Sequence, residues 1–159
     1  MASDSDLAIK RTIHILQAIY AALFASQLVL TAAFIYVGMN LSVDARDVRD
    51  FFPFAVLGVT AFNIVGGTKL FQSRLEAIKP EASLDGKLSQ YRQASVFRYA
   101  LLEGGTIFNG IAYLVLDNAL FLVMIAVVLG VFVYYRPREA KLMADLQLNP
   151  TAPPSHLDV

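Results

Sequence analysis

Apolar and polar positions segregate along this chain into long blocks rather than alternating within short ones. Four stretches, about residues 13–37, 51–71, 94–116 and 120–135, are almost wholly apolar, and the charged residues lie almost entirely between them. A helix needs about 20 apolar residues to cross the hydrocarbon of a bilayer. The first three blocks meet that length and the fourth approaches it. The pattern predicts an all-α membrane protein, a four-transmembrane-helix bundle of two antiparallel hairpins, with a single domain over 1–148 and a proline-rich, disordered tail over 149–159.

Within the first block Ala18, Ala22 and Ser26 recur every four residues, as do Ala21 and Ala25, a strip of small side chains on which another helix can pack closely. The second block carries a comparable face of Ala55, Gly58 and Ala61, and its Gly66-Gly67 pair either bends the helix or admits a neighbour. Asp50 is placed to cap this helix and Pro53 fits its first turn, where amide hydrogens lack internal partners. Beyond it, Phe71, Leu75 and Ile78 form one helical stripe and Leu84, Leu88 and Tyr91 another. Both membrane helices are therefore expected to continue outward, bending at Pro80 and Gly86, with the stripes either packed together or laid on the headgroups. Only Leu116 to Ala119 joins the third block to the fourth, and so short a connection demands an antiparallel pair. After Pro137, Leu142 and Leu146 share a face of what reads as a short amphipathic surface helix.

Composition strengthens this reading and removes several others. Hydrophobic residues make up 57% of the 159, against roughly 45–50% in globular domains. Thirteen basic and thirteen acidic residues cancel, so no net field favours nucleic acid. There is no cysteine, hence no disulfide or thiolate, and the two imidazoles, His14 and His156, have no partners at metal-ligand spacing. No phosphate loop, zinc spacing or nucleophile elbow occurs, so neither an enzyme nor a cofactor or metal site is expected. The N-terminal apolar run lacks a small-residue exit and reads as a retained signal anchor. Lys10 and Arg11, the cations between Lys69 and Arg98, and Arg136, Arg138 and Lys141 all fall on one side of a four-span topology. The other side has only Arg46 and Arg49, offset by three aspartates. The positive-inside rule then places both termini of a multi-pass chain in the cytoplasm. Phe51, Phe52 and Phe54 at one boundary and Tyr134 and Tyr135 at the other read as interfacial anchors.

The candidate chemistry lies in the third block. Tyr99, Glu103, Thr106, Gly110 and Tyr113 share one face on a 3.6-residue period, bordered by Arg98, Gly105 and Asn109. A carboxylate inside such a segment costs about 2.5–3.5 kcal/mol on insertion scales, so Glu103 is expected to face protein or water. It either binds a translocated proton or cation, with Tyr99 and Thr106 as partners, or joins helices as a structural residue held by a facing Tyr or Asn or by Arg98. No second acid lies within any span to extend a relay. Gln27 and Asn63 are expected to make interhelical hydrogen bonds, and Asn63 and Asn109 to pair with each other or to bind a ligand between them.

Val56-Leu57-Gly58-Val59 recurs as Val128-Leu129-Gly130-Val131, which raises a duplicated helical hairpin. That duplication with one intramembrane glutamate resembles the proteolipids of rotary ATPase rings, although those carry their carboxylate in the second helix of a hairpin and Glu103 falls in a first. The phrase Tyr99-Ala-Leu-Leu-Glu103-Gly, followed by Tyr113-Leu, a tight turn, an apolar helix, Arg136-Pro137 and Asp145-Leu-Gln-Leu148, resembles uncharacterised small four-helix inner-membrane proteins of bacteria. It covers about the C-terminal third, and implies a topology but no activity. Two functions are open: a non-enzymatic accessory or interaction subunit of a larger membrane assembly, or a proton- or cation-coupled carrier or proteolipid using Glu103. The expected partners are membrane lipid and either further copies of the chain or another membrane protein.

Overall fold

The computed structural model describes residues 4–39, 51–79 and 82–148, which form five helices and no strand. These are α1 (Asp4–Gly38), α2 (Phe52–Glu76), α3 (Leu84–Leu116), α4 (Leu120–Tyr134) and α5 (Glu139–Asp145). The expected cap at Asp50, the bend at Pro80 and the tail over 149–159 lie outside the described residues. Helices α1, α2 and α3 are each long and apolar enough to cross a membrane, and α4 and α5, bent by 76° at the break between them, make a fourth passage if taken together.

Helix ends follow local chemistry. Pro53 sits in the first turn of α2, as expected. Ser83 caps α3 by accepting the Gly86 amide hydrogen at 3.2 Å, so Gly86 belongs to the first turn of a helix rather than to a bend. At the far end of α3, Asp117 takes a left-handed conformation (φ 47°) that aspartate tolerates better than most residues, and its amide bonds the Tyr113 carbonyl at 2.9 Å. Asn118 Oδ1 then accepts the Leu120 amide at 2.9 Å, which starts α4 after a three-residue turn.

Helix α3 is the hub. Of the most apolar stretch of each helix, 44% of the residues are buried in α3, 22% in α2 and 6% in α1, so the third helix is central and the first is outermost. Helices α1, α2 and α4 each pack along α3, whereas α1 and α2 scarcely touch. The first two helices are thus neighbours in sequence but not a packed hairpin. Contacts fix the directions. Tyr20 meets Tyr99, Ser26 meets Glu103 and Gln27 meets Thr106, so α1 runs parallel to α3. Phe71 meets Tyr91, Thr60 meets Asn109 and Phe52 meets Phe108, so α2 runs antiparallel to it. Helix α4, with Phe121 beside Leu116 and Phe132 beside Tyr99, is antiparallel as well.

The buried positions explain this packing. In α2 they are Val56, Thr60, Asn63, Gly67 and Phe71, and in α4 Phe121, Ile125, Val128 and Phe132, all in steps of three and four. Such spacing lays one continuous stripe along a helix for its neighbour. Gly66-Gly67 does not break α2. Gly67 is buried against α3, where a Cβ would meet Leu101 at 3.6 Å and Arg98 at 3.7 Å in ordinary contact. By contrast most of the small-residue strips face away from the described helices: Ala18, Ala21, Ala22 and Ala25 are exposed on α1, and Gly58 and Ala61 on α2, while Ser26 turns to α3 and Ala55 is half-buried. Helix α1 presents Leu16, Tyr20, Leu23, Phe24 and Gln27 to its neighbours instead.

Length divides the molecule into two storeys. With 35 and 33 residues, α1 and α3 extend about 50 Å at 1.5 Å per residue, well beyond a hydrocarbon thickness of about 30 Å. Their surplus lies at the N-terminal end of both, where Ile9, Ile13, Leu16, Phe71, Leu88, Tyr91, Ala94, Leu142 and Leu146 form one core. The stripes expected at Phe71, Leu75 and Ile78 and at Leu84, Leu88 and Tyr91 therefore pack together. Helix α5 belongs to the same core: Leu142 is fully buried, so the short helix after Pro137 is folded into the bundle and does not lie on a surface. Tyr91 donates a hydrogen bond to Asp145 at 3.2 Å and fastens it there. The repeated Val-Leu-Gly-Val phrases do not occupy equivalent places. Val56 packs at the level of Ala112 and Leu116, while Val128 packs at the level of Tyr99 and Leu102.

Candidate functional site

The face that carries Tyr99, Glu103, Thr106, Gly110 and Tyr113 is the seam of α3 with α1. Going along it, Tyr99 lies edge-on to Tyr20, Glu103 accepts a 2.6 Å hydrogen bond from Ser26, and Thr106 donates to Gln27 Oε1 at 3.3 Å. Farther along, Gly110 receives the Phe34 ring and Gly38 receives the Tyr113 ring, each so closely that a Cβ would collide with the aromatic edge. The 3.6-residue period gathers these side chains because a parallel neighbour advances at the same rise per residue.

Glu103 is half-buried. Its partner is Ser26, not Arg98 and not a tyrosine or asparagine. The Ser26 hydroxyl also lies 2.9 Å from the Leu23 carbonyl, which holds it near its own helix and aimed across the seam. Gln27, one residue further, is fully buried, and its Nε2 has no hydrogen-bond partner. An unsatisfied amide in such surroundings costs about 1–3 kcal/mol, so packing about it has to supply the compensation.

The opposite side of α3 carries a second polar group. Asn109 Nδ2 donates to Thr60 Oγ1 at 2.7 Å and to the Gly105 carbonyl at 2.8 Å, while its Oδ1 is buried without a partner. Asn109 is thus bonded to Thr60 rather than to Asn63. Asn63 lies one turn away, its Nδ2 3.5 Å from where a Gly105 Cβ would stand, so the amide packs against α3 at Gly105 in ordinary van der Waals contact. Thr60 in turn donates a hydrogen bond to the Val56 carbonyl at 2.8 Å. From Ser26 and Gln27 through Thr106 and Asn109 to Thr60 and Asn63, polar side chains cross the bundle at one level.

Arg98 does not belong to that line. It is 4% exposed and lies between two rings, its guanidinium carbon 4.0 Å from the Phe71 centroid and 4.1 Å from that of Tyr135. Tyr99 lies at 5.6 Å on a further side. No carboxylate pairs with Arg98 among the described residues, and its Nε is buried without a partner. Cation–π attraction of up to about 2 kcal/mol per desolvated ring stands in for an ion pair. The cage is itself braced: Tyr99 donates to the Tyr135 carbonyl at 3.0 Å, and Thr68 and Tyr135 share a hydrogen bond at 2.9 Å. It joins α2, α3 and the end of α4 at the boundary between the two storeys.

Ser26, Thr60 and the Arg98 cage are the parts that composition and motif do not single out. Thr60 has a signal in hindsight, since it precedes Asn63 by three and Gly67 by seven on one stripe of α2. Ser26 has none beyond its place in the alanine strip, and the cage depends on the chain returning at Tyr135. Among the described residues, no three or more His, Asp or Glu side chains gather as a metal site would require. No family model, curated protein or solved structure matches this chain.

Proposed function

We propose that this protein is a multi-pass, non-enzymatic accessory or interaction subunit of a larger assembly in a bacterial inner membrane. In this reading four spans cross the membrane, α4 making the fourth passage and leading to α5 in the N-terminal storey, and both termini lie in the cytoplasm. The observation that carries it is that the polar side chains of this line bond one another across helices. Glu103 is engaged by Ser26, Thr106 by Gln27 and Asn109 by Thr60, with no second carboxylate beside them. A carrier needs a sequence of exchangeable sites, whereas these groups hold three helices together. The outward-facing alanine strip of α1 supports the same reading, because its close-packing side chains are exposed among the described residues. The parallel pair α1 and α3 and the antiparallel α2 and α4 agree with an even number of crossings, and the cations near Lys10, Arg74, Arg92 and Lys141 then share one side. Chemical cross-linking in native membranes followed by mass spectrometry tests the proposal: recovery with an unrelated, larger membrane protein supports it, and cross-links confined to the chain itself refute it.

The second reading, an ion-coupled carrier or proteolipid, is favoured by one observation. Glu103 is incompletely buried, and the same seam holds the buried, unpartnered Nε2 of Gln27. Glu103→Gln separates the two. Intact assembly with loss of an ion-dependent flux supports a carrier, and loss of assembly alone removes it.

A further inference from the structure

Helix α3 is covered on three sides by α1, α4 and α2, and the fourth side, between α1 and α2, is open. Phe97, Ala100, Gly104, Ile107 and Ile111 are exposed there in steps of three and four. Two furrows flank Phe97 at the end of this strip nearest the N-terminal storey. One, of about 560 Å³, runs over Phe62, Gly66, Leu70 and Leu101 and carries Lys69 and Ser73 at its edge. The other, of about 360 Å³, runs over Ile19, Val96 and Ala100 and carries Arg74, Arg92 and Gln93. Phe97 lines both furrows, and Arg74, at the edge of the second, reaches over its ring at 4.9 Å. Among the described residues no carboxylate lines either of them.

We propose that this double furrow binds one anionic phospholipid, its acyl chains lying along the two apolar floors on either side of Phe97 and its phosphate held by Arg74 and Arg92 with Lys69 beside them. The proposal rests on the reading of the chain as membrane-embedded. The chemistry is that of an amphiphile in outline. The floors are hydrocarbon, three cations and the neutral donors Ser73 and Gln93 stand at the edge, and Arg74 and Arg92 come just where the apolar spans of α2 and α3 meet their charged extensions, the depth of a headgroup. A partner helix would fill an apolar groove equally well, but it would leave an uncompensated cluster of three cations at its end. An anionic headgroup neutralises them, which decides the occupant.

Native mass spectrometry of the detergent-purified full-length chain, loaded with equal amounts of phosphatidylglycerol and phosphatidylcholine of identical acyl chains, tests this. Retention of phosphatidylglycerol in preference is expected, with the ratio falling about fivefold in Arg92→Gln and about 25-fold in the double variant Arg74→Gln, Arg92→Gln, at roughly fivefold per cation near an anionic headgroup. Lys79→Gln, in a separate cleft with Lys87, is expected to leave the ratio unchanged, and Gly66→Leu, which fills one floor, to lower retention of the lipid. Equal retention of the two lipids by the wild type, or an equal fall in Lys79→Gln, overturns the proposal. Displacement of the lipid by millimolar glycerol phosphate also overturns it, since the acyl floors would then contribute nothing. A chain that stays monodisperse without detergent would instead overturn the membrane reading itself, a separate and recognisable result.

Discussion

The bond between Ser26 and Glu103 is a single contact between the outermost helix and the hub, and its strength can be worked out and measured. At 2.6 Å from hydroxyl to carboxyl oxygen it is at the short end for an O–H···O bond, where charge-assisted bonds fall. Bonds to charged groups contribute about 1.5–3 kcal/mol in water-soluble proteins, but double-mutant cycles between membrane helices average about 0.6 kcal/mol and reach about 1.7. Glu103 is half-buried rather than sealed, which screens it, so a coupling of about 1–1.5 kcal/mol is expected between these limits. Ser26→Ala leaves the carboxyl group without its donor and is expected to cost about 1.5 kcal/mol. Glu103→Gln still offers an oxygen to Ser26 and is expected to cost about half as much, because neutral acceptors bind roughly half as strongly. In the double variant Ser26→Ala, Glu103→Ala the effects should fall short of the sum of the two alanine variants by the coupling energy. Reversible unfolding in mixed micelles, followed by far-ultraviolet circular dichroism, reads all four corners. A coupling indistinguishable from zero would refute the assignment of this pair as a joint between α1 and α3.

Arg98→Lys keeps the charge but replaces a flat cation, stacked between Phe71 and Tyr135, with a compact one, and is expected to lower stability by about 1–2 kcal/mol in the same unfolding assay. Leu142→Ala empties a fully buried position under α5 and is expected to cost about 2–4 kcal/mol. Limited proteolysis after Arg138 or Lys141 should then proceed markedly faster than in the wild type. The Tyr91 phenol is held above its ordinary value of about 10, first by burial and then by the neighbouring Asp145 carboxylate. Its neutral form is favoured in the fold, so its contribution is complete below about pH 10 and is lost as pH rises beyond that. Alkaline solution should accordingly release α5 in the wild type, and Tyr91→Phe, which costs about 1 kcal/mol at neutral pH through the lost hydrogen bond, should flatten that alkaline decline.

The long apolar helices were legible because a linear pattern records the length of an apolar run directly: all four apolar blocks became helices, and the short turn at Asp117 fixed α3 beside α4. The grouping of Glu103 with Tyr99, Thr106, Gly110 and Tyr113 was also legible, since residues on one helix share a face whatever lies opposite. What lies opposite was not. A serine within a run of alanines gave no sign that it alone would turn toward α3, and the alanine strip that looked like an interface faces outward because Tyr20 and Phe24 stack with Phe132 and set the rotation of α1. Asn109 found Thr60 rather than Asn63, as the two asparagines stand one turn apart along the antiparallel pair. Arg98, which seemed placed to reach Glu103, instead follows the aromatic rings of Phe71 and Tyr135, and the second of those arrives from a helix whose path only the Pro137 break determines.

The absence of cysteine from the chain makes the arrangement about α3 open to an unambiguous measurement. A pair of cysteines placed at Ser26 and Glu103 and a second pair at Ala22 and Phe62 would be treated, in isolated membranes, with a short bifunctional maleimide and resolved by mass spectrometry. The account predicts a high yield between α1 and α3 and little between α1 and α2. Efficient linkage of the second pair within one chain, with none of the first, would contradict a bundle built around its third helix.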